Sequence, residues 1–146
     1  MKKSHNLCSN VVLLQAVISL SGVHNLETLD TGLATRYLYL SAFPDSRDQW
    51  DQLSPTKLIM SNGDGDRTSH LPRYLIISAE HDYDFLKKDA TDYVKVLVEC
   101  GCAVRYEVIP GTNHLTLAMR FGGSYDNGVL VQTCLEFVHG VSGSTR

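Results

Sequence analysis

The sequence predicts an α/β fold built on a parallel sheet, on three observations. A nearly unbroken apolar run, Val11-Val-Leu-Leu-Gln-Ala-Val-Ile-Ser-Leu20, has the composition of a strand covered by helices on both faces. A second strand signal, Tyr74-Leu-Ile-Ile-Ser-Ala-Glu-His-Asp82, ends in an acid and gives way to helical periodicity. A third, Val104-Arg-Tyr-Glu-Val-Ile-Pro110, comes after that helix. Strands separated by helices of this length pair in parallel through right-handed crossovers. At 146 residues the chain is long enough to bury a core, and one domain over 1–146 is expected.

Taken in order, the first strand is expected over residues 13 to 20. Met1-Lys-Lys ahead of the apolar run also suits a secretory leader. Polar residues at 5, 6, 9 and 10 and the break at Gln15 favour the strand. Residues 28 to 41 look partly helical, with apolar positions at 33, 37, 38 and 40. Phe43 to Trp50 and Gln52 to Pro55 carry turn residues and read as irregular. Residues 61–70 are polar and glycine-containing, so an exposed loop is expected. After Asp82, Phe85, Leu86, Ala90, Tyr93, Val94, Leu97 and Val98 recur at helical spacing, and Gly101 is placed to end the helix. Leu130, Val131, Cys134, Leu135 and Val138 predict a last helix ending near Gly140, with a frayed tail over 141–146.

Composition narrows the function classes. A net charge of -3 with no basic run supplies no electrostatic footprint for nucleic acid or an anionic membrane. No run of eighteen apolar residues exists, so no membrane span is expected. Cys8, Cys100, Cys102 and Cys134 fit neither a C-x-x-C motif nor zinc spacing. Free thiols in a reducing, cytoplasmic setting are the expectation, with no metal and no cofactor. Tyr37, Tyr39, Phe43 and Trp50 could line a pocket, although packing in a core is the commoner use of such rings.

Two residues stand out for chemistry. In an open parallel sheet, ligands bind outside the carboxyl ends of the strands. Asp82 directly follows one strand, and His114 lies four residues past the expected end of the next. A carboxylate there would hold imidazole Nδ1–H and fix the tautomer, leaving Nε2 to take a proton from a nucleophile. Singly, each has a plainer use: Asp82 as a helix cap, His114 as a loop residue. Asp84 competes with Asp82 for either role.

From Ser21 to Phe121 the chain resembles the C-terminal half of α/β-hydrolase esterases. These include carboxylesterases related to hormone-sensitive lipase, arylformamidases (kynurenine formamidases) and isoprenylcysteine methylesterases. The matching pieces are Ser21-Gly-Val-His-Asn-Leu26, Leu53-Ser-Pro55, Ile77-Ser-Ala-Glu-His-Asp82 and Pro110-Gly-Thr-Asn-His114-Leu-Thr-Leu. The resemblance implies that Asp82 is a triad acid and His114 its base. It also implies sixth, seventh and eighth strands of a larger sheet, and a small-molecule ester or formamide/amide substrate.

The departures are as informative. No Gly-x-Ser-x-Gly occurs in the sequence, and no upstream His-Gly-Gly loop is present to build an oxyanion hole. Gly122-Gly123 lies downstream of His114. Ser21 at a strand end and Cys8 are the substitutes for the nucleophile, and neither carries the elbow motif. The expectation is a C-terminal fragment of a serine-hydrolase-type enzyme, inactive alone. The alternative is a non-catalytic binding or regulatory module that keeps the scaffold. In either case the first strand would offer an unpaired edge for self-association or pairing with another chain.

Overall fold

The computed structural model describes residues 14–27, 50, 52–61, 71–121 and 128–142. The expected partial helix over 28–41, Tyr37, Tyr39, Phe43, Cys8, most of the 61–70 loop and the end of the tail lie outside them.

Three parallel strands with flanking helices make the fold α/β. In chain order the elements are β1 (Ala16–Leu20), α1 (Pro55–Ser61), β2 (Arg73–His81), α2 (Asp84–Glu99), β3 (Val104–Asn113), α3 (His114–Arg120) and α4 (Val129–Ser142). The sheet order is β1-β2-β3, both pairings parallel. β2 is therefore the central strand. Leu75, Ile76, Ile77 and Ala79 on it are fully buried, as expected of a parallel strand covered on both faces.

Period-two alternation sends these side chains to two different cores. Leu75, Ile77 and Ala79 pack with Ile109, Leu117, Leu130, Cys134 and Phe137, beneath α3 and α4. Tyr74 and Ile76 pack with Ala90, Tyr93, Leu97 and Cys102, beneath α2. A third, smaller cluster joins Trp50 to Leu26, with Val23 and Phe85 against it. Trp50 is thus buried in packing.

Several element boundaries differ from expectation: β1 begins at Ala16 rather than at residue 13, and three others have a local reason. Pro55 is expected in an irregular stretch, yet it opens α1, where its fixed φ and missing N–H suit the first helical position. Ser61 belongs to that helix rather than to a loop. The last helix continues two residues past Gly140, to Ser142. By contrast, Gly101 ends α2 as expected, at φ 77°, with Cys102 N–H bonding Leu97 O and its own N–H bonding Val98 O. This double bond is the Schellman arrangement, and it needs the left-handed backbone that glycine adopts freely.

Cys100, Cys102 and Cys134 are in no disulfide, and burial pushes the Cys102 thiol upward. Among the described residues, no helix is long and apolar enough to cross a membrane.

The α2 stripe can be checked by a neighbouring pair of substitutions. Leu97 is fully buried, whereas Val98 is 59% exposed. Leu97→Ala should lower the unfolding free energy in urea by about 2–5 kcal/mol, and Val98→Ala by about 0.5 kcal/mol or less. Equal losses would mean that α2 presents a different face.

A pH effect arises from the same layer. Burial raises the phenol pKa of Tyr93, and to a smaller extent that of Tyr74, from the ordinary value of 10.0. An unfolded chain then releases these protons more readily than the folded one, so stability holds below pH 10 and falls as pH rises above it. Urea midpoints measured from pH 7 to 11 should show this decline, and Tyr93→Phe should flatten it.

Candidate functional site

Asp82 and His114 meet at the carboxyl end of the sheet. His114 Nδ1 lies 3.1 Å from Asp82 Oδ1. The carboxylate can only accept, so Nδ1 carries the hydrogen and the Nε2 lone pair is left for another proton. The Asp82 side chain is 1% exposed and that of His114 39%. Buried acid and solvent-facing imidazole are the arrangement in which a base can be oriented from within and still reach a substrate.

Asp82 arrives by direct continuation of β2, and its N–H bonds back to Ala79 O at 3.3 Å. Its Oδ1 also accepts from Tyr83 N–H at 2.9 Å. The helix-cap use of Asp82 is not realised: the N-cap of α2 is Tyr83, and no side chain bonds there. Asp84, the competing acid, is fully exposed and pairs with Lys87. Asp82 Oδ2 is buried without a hydrogen-bond partner among the described residues, an arrangement that costs about 1–3 kcal/mol.

His114 is placed differently from expectation. It does not sit in a loop four residues past a strand; it is the first residue of α3, immediately after β3. The reason lies in the pairing register. Ala79 pairs with Ile109 and His81 with Asn113, so residues 110–112 of β3 stand opposite the single residue Glu80. Such a bulge bends the strand and re-aims the residues beyond it. Pro110 has no N–H to pair, and Gly111 takes φ 65°. Glu80 then ties the bulge down, accepting from Gly111 N–H at 2.7 Å.

The helix start fixes the imidazole further. Asn113 caps α3, accepting from Thr116 N–H at 2.9 Å, while Thr116 Oγ1 accepts from Asn113 N–H at 2.8 Å. This reciprocal pair locks the turn that carries His114. The Tyr83 ring lies 5.6 Å from that of His114, tilted by 55°. Sequence reasoning does not single out Glu80, Tyr83, Asn113 or Thr116. Asn113-x-x-Thr116 is a capping-box spacing, and it is the one signal that could have found the last two.

Ser21 occupies the end of β1, beside β2, with its N–H on Ile77 O at 2.8 Å. Its φ is 43°, the only positive value among the described non-glycine residues. Its Oγ, like Asp82 Oδ2, is buried without a partner among the described residues. The sequence offers no sign of that backbone. A cleft of about 150 Å³ lined by Arg73, Tyr74, Arg105 and Phe137 lies at the amino ends of β2 and β3, the opposite end of the sheet. It is no part of this site. Among the described residues, no group of three or more His, Cys, Asp or Glu is placed to hold a metal ion.

No protein-family model matches the chain, and no curated protein matches it. Among solved structures it is similar to a Mycobacterium tuberculosis puromycin-hydrolyzing peptidase, with 15% sequence identity and a TM-score of 0.52. The likeness covers 68% of this chain and 15% of that one. At this identity the likeness concerns the fold alone, parallel strands with flanking helices, and it matches a small part of the length of the peptidase.

Proposed function

We propose that Asp82 and His114 are the acid and base of a serine-hydrolase-type site acting on a carboxylic ester or a formamide/amide bond. The nucleophile and oxyanion donors reach the site from a segment outside these 146 residues. The observation that carries this reading is the 3.1 Å bond between a buried carboxylate and a half-exposed imidazole at adjacent strand ends. The chain order acid then base, the hydrolase-like fold and the resemblance to esterases and arylformamidases support it. The two unpartnered buried atoms, Ser21 Oγ and Asp82 Oδ2, lie at the ends of neighbouring strands, where a further segment would find hydrogen-bonding groups to meet.

In this site Nε2 of His114 takes the proton of an attacking hydroxyl and returns it to the leaving alkoxide or amine. Asp82 holds the tautomer and stabilises the imidazolium. Neither residue forms a bond to the substrate. Without a positioned hydroxyl and oxyanion donors the pair has almost no rate enhancement to offer.

Purified chain is therefore expected to show no His114-dependent turnover of p-nitrophenyl acetate or N-formylkynurenine. Turnover abolished by His114→Ala would mean that the chain is sufficient by itself, and the external nucleophile would have to be given up.

A second reading, a binding module that pairs through its sheet edge, is favoured by β1. It is an outer strand of the described sheet, and Leu14 and Ile18 beside and within it are 62% and 37% exposed. Light scattering should then report self-association rising with concentration and reduced by Ile18→Lys. A monomer at every concentration tested would remove this reading and leave the catalytic one untouched.

A further inference from the structure

A second Ser, His and Asp set, distinct from Asp82 and His114, is connected end to end by hydrogen bonds. Ser19 Oγ lies 2.9 Å from His24 Nε2, and His24 Nδ1 lies 2.9 Å from Asp89 Oδ2. Asp89 also accepts from the backbone N–H of His24 at 2.6 Å and of Asn25 at 3.0 Å. With those donors on the carboxylate, Nδ1 carries the imidazole hydrogen, Nε2 is a lone pair, and Ser19 must be the donor to it. The hydroxyl is thus bonded to a base whose tautomer is fixed from behind.

The surroundings hold this arrangement in place. The His24 ring stacks on Tyr93 at 4.4 Å, nearly parallel, and His24 and Asp89 are both buried. Thr56 clamps His24 from the other side, its N–H and Oγ1 both on His24 O. A Cβ at Gly22 would sit 2.5 Å from Ser19 Oγ and 3.4 Å from His24 Nε2, so glycine there keeps room around the hydroxyl. Ser19 itself is only partly buried, on the outer strand of the described sheet.

We infer that Ser19 is an activated nucleophile that takes an acyl or phosphonyl group from small reactive electrophiles, with His24 as its base and Asp89 as the residue that positions His24. Ser19 Oγ bonds to the carbonyl carbon of an ester such as p-nitrophenyl acetate, and its proton passes to His24 Nε2. The bond from that carbon to the phenolic oxygen breaks, and the leaving p-nitrophenolate carries away the electron pair. In the slower return step His24, having passed that proton to solvent, takes one from a water that attacks the same carbon; the bond from the carbon to Ser19 Oγ breaks, Oγ takes the proton and acetic acid leaves. With an alkyl fluorophosphonate Ser19 Oγ bonds to phosphorus and the phosphorus–fluorine bond breaks, fluoride leaving with the electron pair. The three residues supply proton transfer and tautomer control, so reaction is stoichiometric with the chain rather than rapidly repeating. This activity is independent of the function proposed for Asp82 and His114.

The test is labelling of the intact chain with a small alkyl fluorophosphonate, the adduct located by peptide mass mapping, alongside the p-nitrophenolate burst. Expected is one adduct per chain on Ser19, lost in Ser19→Ala and slowed at least tenfold in Asp89→Asn, with Val98→Ala, at an exposed position of α2, unchanged. An adduct on Ser21, or no adduct on a chain whose circular dichroism is native, would overturn the inference and reduce the set to a clamp on the loop after β1. Loss of labelling in His114→Ala alone would also overturn it, and would instead favour the Asp82–His114 site. Should Asp89→Asn fail to fold, Ser19→Cys provides a second reading. Its thiol should be alkylated by iodoacetamide at pH 6 at least tenfold faster than Cys100, and an equal or slower rate would count against a base at Nε2.

Discussion

Strand β2 is covered on both faces, and that burial organises the rest. A strand with water on neither side must alternate its side chains between two cores, and each core then needs its own helices. Leu75 and Ile77 take α3 and α4; Tyr74 and Ile76 take α2. The central strand therefore sets where three helices lie, and through them where the connections at its carboxyl end must go. Asp82 follows the strand directly and is buried again behind the exposed Glu80 and His81. Its N–H on Ala79 O and its Oδ1 on Tyr83 N–H then hold it at the mouth of the sheet.

The imidazole side is positioned by a different device. β3 runs beside β2 in register until Ala79 and Ile109, and the three residues from Pro110 to Thr112 then oppose Glu80 alone. The extra length would loosen the strand end if it were free. Glu80 holds it through Gly111 N–H, Thr112 folds back onto Ile109 O, and Asn113 closes the turn with Thr116. Each of these bonds fixes backbone, and none touches His114. The imidazole is aimed by the turn it belongs to, as residues in precise sites are, rather than by a partner alone.

How much of this is legible in the sequence depends on the range of the signal. Both cores of β2, the α2 stripe and the stop at Gly101 rest on periodicity and on a single positive-φ residue, which are local. His114 is expected in a loop because Pro110-Gly111 reads as the end of a strand; pairing with β2 across the bulge overrides that punctuation. The backbone of Ser21 is invisible in the sequence because a positive φ at a serine has no compositional mark. Asp89 does carry a signal. It lies three residues after Leu86 and four before Tyr93, on the buried stripe of α2, and an acid in such a position must have donors supplied to it. What those donors are, the backbone and ring of a residue 65 positions away, no local pattern contains.

Two imidazole–carboxylate pairs among the described residues, Asp82–His114 and Asp89–His24, sit in contrasting environments. Asp89 receives hydrogen bonds at both oxygens, and His24 is engaged at both nitrogens. Asp82 is satisfied at one oxygen only, and its imidazole stands 39% open to solvent. A fully satisfied buried network rigidifies its surroundings, while a partly satisfied one raises the energy of the folded state and persists where something else is gained. By that measure the pair at the sheet mouth is the less satisfied and more accessible of the two, and the pair beneath α2 the more rigid. Holding still is compatible with reactivity in one respect: a base locked in a single tautomer loses no energy reorganising when its neighbour's hydroxyl ionises. The interior pair therefore differs from the surface pair in access: His24 is enclosed with its neighbours, and His114 faces solvent.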